Sequence, residues 1–266
     1  MKLSISNISW PAECDEEIYE FLQANAICGL EVAPTRIFPF PPYGNIEQAK
    51  AFANRLHERY GLIVSSMQSI WYGISNNIFD MDDSRDNLVE YTRKAIDFAC
   101  VLNCRNLVFG CPKNRAIPKN MPSETYLPIA HDFFGRIGNY AAELGVCVAL
   151  EPNPPIYKTN FINTTSEAFE ICRKLNNPGV KVNVDLGTVI YNSENIDFLK
   201  DNIDLVSHIH ISEPNLVPIK KRELHGSLIS ILQELGYTGF LSIEMANPND
   251  IEVVKTIILY AKELLI

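Results

Sequence analysis

Val146–Asn153, VCVALEPN, decides how the rest of the chain is read. Five apolar residues in a row describe a strand buried on both faces, and the run stops at a carboxylate followed by Pro-Asn-Pro-Pro, where no strand continues. An ionised Glu151 at the mouth of a hydrophobic strand costs several kcal/mol unless a partner compensates it. Three later apolar stretches end in the same manner: Lys181–Asp185 in Asp185, Leu205–His210 in His210, and Leu241–Glu244 in Glu244.

On both sides of that stretch, strand patterns alternate with helix patterns along the whole chain. The strands read Leu3–Ile8, Gly29–Val32, Leu62–Gln68, Asn106–Gly110, Val146–Leu150, Gly179–Asp185, Leu205–Ile211 and Gly239–Met245. The helices between them read Asp15–Ala26, Ile46–Tyr60, Asp83–Leu102, Ser123–Leu144, Thr165–Leu175, Asn195–Asn202, Glu223–Leu235 and Asp250–Leu265, several closed by Gly just past their ends. Strict alternation implies parallel strands with right-handed crossovers, and eight units in 266 residues predict a (β/α)8 TIM barrel. No GxGxxG or GxxxxGK[ST] follows a strand, so the phosphate-binding turns of an open doubly wound sheet are missing. No linker or composition break divides residues 1–266, which are expected to form a single domain.

Composition narrows the function. The chain has 23 Lys and Arg against 32 Asp and Glu, a net charge of −9, which opposes binding to nucleic acid. The polar first residues and the lack of any long apolar run argue against a leader or a membrane span. Seven cysteines without a CxxC fit a reduced, cytoplasmic protein; Cys100 and Cys104, four apart on a helix, read as core packing rather than zinc ligands. The outer helices and loops leave homo-oligomerisation open.

Glu151, Asp185, His210 and Glu244 lie 34, 25 and 34 residues apart, about one strand–helix unit each. A barrel sets four such strand tips around one mouth, where three carboxylates and an imidazole suit one divalent ion such as Mn²⁺, Co²⁺, Mg²⁺ or Zn²⁺. Any one of these acids, taken alone, reads equally well as a helix cap or a loop carboxylate. Around them, Trp10, Gln68, Trp71 and Asn153 stand near strand tips as candidate pocket walls for a sugar. Lys113 and Arg115 follow the fourth strand as candidate anion contacts or as solvated loop residues. His208 shares a strand face with His210 one layer deeper, and Glu213 is placed to hydrogen-bond to the site or to cap a turn. His225, at a helix start, reads as a cap or surface residue.

The pieces LEPN (150–153), VNVDLGT (182–188), HIHISE (208–213) and SIEM (242–245) resemble the xylose isomerase-like barrel superfamily. That group includes ketose 3-epimerases, hydroxypyruvate isomerases, inosose dehydratases and nucleases of the AP endonuclease family 2 type. The resemblance implies one divalent metal on Glu151, Asp185, His210 and Glu244. It further implies a keto-sugar or related polyhydroxy carbonyl substrate carried through a metal-bound cis-enediolate, with Glu151 and Glu244 as acid and base. The chain departs from the epimerase pattern at three positions that hold substrate hydroxyls there: Thr188 replaces a His, Leu216 an Arg and Tyr157 a Glu. Thr188 in place of His keeps open a dehydratase of an inosose-like or keto-sugar substrate; a noncatalytic sugar-binding barrel subunit is a further alternative, against which the intact four-residue set argues. The nuclease branch needs more His on early strand tips than five in the chain allow, with His57 and His131 falling in helices.

Overall fold

The computed structural model describes residues 1–265. Eight parallel strands close into a barrel in chain order: β1 (Lys2–Ser6), β2 (Gly29–Val32), β3 (Ile63–Met67), β4 (Asn106–Phe109), β5 (Cys147–Leu150), β6 (Val180–Asp185), β7 (Val206–Ser212) and β8 (Phe240–Glu244). The last strand pairs with the first, so no edge is left unpaired. Helices α1 (Asp15–Ala24), α2 (Ile46–Tyr60), α3 (Asp82–Val101), α4 (Ser123–Glu143), α5 (Thr165–Leu175), α6 (Leu186–Asn192), α7 (Glu223–Glu234) and α8 (Ile251–Glu263) follow the strands in turn.

The sixth helix differs from the sequence reading. It begins directly at Leu186, with Asp185 as its N-cap accepting from the Thr188 amide, and the segment expected to be helical at 195–202 is a 3-10 turn, Ile196–Asp201. The short VDLGT sequence lacks an apolar period long enough to show the helix, whereas its Asp cap is a local signal. Elsewhere local chemistry closes the helices as expected. Thr164 and Glu167 form a reciprocal capping box on α5, and Gly61 ends α2 in the left-handed conformation at φ +66°.

Hydrophobic packing lies mainly between the strands and the helix ring. Outward-facing Phe109 meets Phe133 and Phe134 of α4, and Trp71 packs edge-on against Phe109. The barrel interior is polar: Ser4, Ser6, Glu31, Ser66, Asn183, His208, His210, Ser212 and Ser242 are all almost fully buried. Alternation in LSIS, VNVD, HIHIS and LSIE produces this layering, because successive side chains of a strand point to opposite faces. Two register shifts set which residues share a level. One pairs Glu31 with Ser66, and the other pairs Asn183 with His208 and Asp185 with His210.

Candidate metal centre at the mouth of the barrel

Glu151, Asp185, His210 and Glu244 converge at the C-terminal end of the barrel, each offering a ligand atom within 4.8 Å of the others. Asp185 and His210 are direct neighbours across β6 and β7, and Glu244 pairs with Ser212, two residues beyond His210 on the same face. His210 Nδ1 lies 2.8 Å from Glu151 Oε1 and 3.2 Å from Glu244 Oε2. Ligand atoms at right angles around an ion with bonds of about 2.1 Å sit about 3.0 Å apart, so these separations suit coordination.

Each carboxylate is aimed by its neighbours. Asn183 Nδ2 donates to Glu151 Oε1 at 2.8 Å, and Asn153 Nδ2 donates to Glu151 Oε2 at 3.1 Å. Arg115 in turn donates to Asn153 Oδ1 at 2.9 Å and to the Glu151 carbonyl at 2.7 Å, which orients the Asn153 amide toward Glu151. Asp185 Oδ1 accepts from the Ser212 hydroxyl, and its Oδ2 accepts from the Thr188 amide at 2.7 Å and hydroxyl at 2.9 Å.

Electrostatics show what the cluster lacks. Burial pushes the Glu244 carboxyl up to about 7, with repulsion from Glu151 and Glu31 adding to it and His210 opposing. Burial, then Glu151, also raises Asp185. Burial works against a charged His210, yet Glu31, Glu244 and Glu151 around its ring hold its pKa well above the ordinary value. Glu151 is lowered overall, since His210 and the amide of Asn153 outweigh burial. Three buried carboxylates face one imidazole, so the cluster calls for positive charge. His210 Nδ1 is buried and turned toward the Glu151 and Glu244 carboxylates without a well-formed hydrogen bond, so loss of its proton would aim a lone pair at the same point as their oxygens. The donor set of three oxygens and one nitrogen without thiolate therefore fits a divalent ion.

A cleft of about 190 Å³ opens above these residues, walled by Ile8, Gln68, Val108, Asn153, Tyr157 and Leu216 among others. Of the candidates read from sequence, Gln68 and Asn153 line it with Glu151, Asp185 and Glu244. The rest lie elsewhere. Trp10 is buried and donates to Asp15, and Trp71 donates to Thr92 in the aromatic layer. Lys113 is exposed. Arg115 is fully buried behind Glu151, with burial pulling its pKa down to about 10. Glu213 pairs with Arg222, and His208 points into the barrel toward Ser66 and Glu31. His225 is buried and bonds to the Tyr260 hydroxyl at 2.8 Å, which corrects its reading as a surface or capping residue.

Glu31 escaped the sequence reading. It is fully buried at the end of β2, and one of its oxygens lies 3.0 Å from His210 Nε2. Its signal was a lone acid between Leu30 and Val32 in a four-residue strand.

A family model described as xylose isomerase-like TIM barrel matches residues 24–264. A search of curated protein sequences finds no match. Among solved structures, 3-keto-D-glucoside 4-epimerase from E. coli aligns over 99% of both chains at TM-score 0.80 and 19% identity. D-psicose 3-epimerase from Clostridium cellulolyticum H10, solved with D-tagatose, aligns over 100% of this chain and 99% of its own at TM-score 0.80 and 16% identity. The IolI protein, solved with a bound zinc atom, aligns over 99% and 96% at TM-score 0.74 and 16% identity. Identities this low speak to the fold, while the family model spans most of the sequence. The chain belongs to the xylose isomerase-like TIM-barrel family.

Proposed function

We propose that this protein is a divalent-metal-dependent epimerase or isomerase of a keto sugar. The observation that carries the reading is the placement of Glu151 and Glu244 on one cleft with both carboxylates against His210 Nδ1. An ion bound there would be held by Glu151, Asp185, His210 and Glu244, and it would supply Lewis-acid polarisation of a carbonyl, acidifying the neighbouring C–H. Glu151 and Glu244 are the bases at hand. One removes the proton from carbon and the other delivers a proton to the opposite face, which inverts the centre; delivery to the adjacent carbon gives an isomerisation instead. Asn153 and Asn183 hold Glu151 in place for that work.

Two features of the cleft refine the substrate. No Lys or Arg lines it among the described residues, which favours an unphosphorylated sugar. Ile8, Val108 and Leu216 give it an apolar wall, suited to the C–H faces of a sugar. The dehydratase alternative ranks second because Thr188 is already engaged. Its hydroxyl donates to Asp185 Oδ2 and lies 2.7 Å from the Pro152 carbonyl, so it is not available to assist a departing hydroxyl. The test is a screen of unphosphorylated ketoses for solvent deuterium uptake with Mn²⁺-loaded protein. Uptake without loss of mass as water, abolished in Glu244→Gln, is expected; release of water with an ultraviolet-absorbing product would move the assignment to a lyase.

A further inference from the structure

We propose that Glu31 is a positioning residue for the metal centre: it accepts the Nε2 proton of His210 and so fixes the ring with Nδ1 free to bind the ion. The inference rests on the ligand assignment above and concerns a residue outside that set. His210 has two ring nitrogens, and only one can be the ligand. Nδ1 faces Glu151 and Glu244, while Nε2 lies 3.0 Å from Glu31 Oε2 on the opposite side of the ring. With an ion taking Nδ1 between Glu151 and Glu244, Nε2 is the nitrogen left to carry the proton, and the Glu31 carboxylate beside it accepts and does not donate. A ligand histidine whose far nitrogen donates to a carboxylate is fixed in tautomer and orientation and becomes a stronger base toward the metal.

Glu31 is itself held in place. Its Oε2 accepts from the Ser66 hydroxyl at 2.5 Å and lies 3.1 Å from His208 Nε2, and His208 Nε2 is also 3.1 Å from Ser66. The β2–β3 register shift brings Glu31 opposite Ser66, and alternation along β7 puts both His208 and His210 on the interior face. This assigns His208 a role away from substrate: it braces the acid that braces the ligand.

Glu31, His208 and His210 are also close enough to hold a cation of their own. That arrangement would strip Nε2 of His210 of its proton and place a second positive ion against a ring already bound to the first. Three donors already surround Oε2, whereas Oε1 is buried without a hydrogen-bond partner; because a cation on Nε2 would displace the proton that Glu31 accepts, the proposal requires one ion per chain.

The test compares Mn²⁺ and Zn²⁺ affinity of the wild-type protein and Glu31→Gln by competition with a chelator, alongside circular dichroism and thermal melting without metal. The neutral amide keeps the shape of the side chain and loses the charge. We expect Glu31→Gln to fold and to bind the ion about 10- to 100-fold more weakly. A merely structural role would lower the melting temperature and leave the affinity of the folded protein unchanged, and that result overturns the inference. Two ions per chain would overturn it as well. Should the variant fail to fold, Zn²⁺-loaded wild-type protein labelled with ¹⁵N-histidine decides the matter. His210 should show a metal-bound Nδ1 and an exchange-protected, downfield proton on Nε2, and coordination through Nε2 contradicts the proposal. Wild-type protein that takes up no ion contradicts the ligand assignment itself, whereas equal affinities with and without the Glu31 charge contradict only the role of Glu31.

Discussion

Gly110, the residue after β4, offers a one-atom test of how tightly Glu151 is held. A Cβ added there would stand 2.5 Å from Glu151 Oε2 and 3.5 Å from Asn153 Oδ1. Gly110 is not among the residues with positive φ, so alanine meets no backbone obstacle, and the whole effect falls on the carboxylate. Carbon-to-oxygen contacts settle at about 3.3–3.6 Å, so the Oε2 atom has to retreat by about 1 Å. That retreat pulls against the Asn183 bond at 2.8 Å and the Asn153 bond at 3.1 Å, and Asn153 is anchored by Arg115. A misplacement of about 1 Å costs on the order of 100-fold in rate, and overpacking costs about 1–3 kcal/mol of stability. Gly110→Ala should therefore fold, lose about 100-fold in solvent deuterium exchange, and bind Mn²⁺ more weakly. Gly226→Ala is the matched control: its Cβ meets nothing within 4 Å inside α7, and it should gain about 1 kcal/mol of stability without touching the site. Wild-type exchange and wild-type metal affinity in Gly110→Ala would refute this account of Glu151.

Further outcomes follow from the same geometry. Metal affinity should fall as pH drops below 7, because the ion must displace the proton that burial holds on Glu244 up to about 7, and the proton on His210 adds to the loss. Ligands bind deprotonated, so the slope tends to about tenfold per pH unit for each proton released; chelator competition between pH 5.5 and 8.5 measures it, and a flat profile contradicts the charge balance described. Arg115→Met keeps the buried volume but removes the donor to the Glu151 carbonyl and to Asn153 Oδ1. The unmet acceptors should cost about 1–3 kcal/mol, seen in urea denaturation, and an unchanged midpoint would show that Arg115 does not hold that loop. Glu244→Gln should abolish deuterium exchange while the protein stays folded.

How much of this was legible in the sequence depends on the range of the signal. The barrel was, because alternating apolar patterns and terminal glycines are local, and eight repeats leave few topologies open. The four strand-tip residues were, because their spacing follows the repeat. Glu31 was not, since one acid in a four-residue strand looks like an exposed edge until closure of the barrel buries it against His208 and His210. Arg115 read as a solvated loop cation because its burial depends on the Asn153–Asn163 turn folding over it, where Asn163 donates to the Asn153 carbonyl at 2.7 Å. Trp10 and Trp71 read as pocket walls by position, yet their indole N–H groups find Asp15 and Thr92, partners that only tertiary packing supplies. The tip residues repeat with the fold and show in one dimension; the residues that orient them come from other strands and loops and do not.

Glu151, Asp185, His210 and Glu244 are proposed to hold one divalent ion between them. The direct measurement is metal content after loading with Mn²⁺ or Co²⁺ and removal of excess, in the wild-type protein and in His210→Gln. One ion per chain in the wild type and none retained by His210→Gln is the predicted result; no ion in the wild type, or equal content in both, would contradict it.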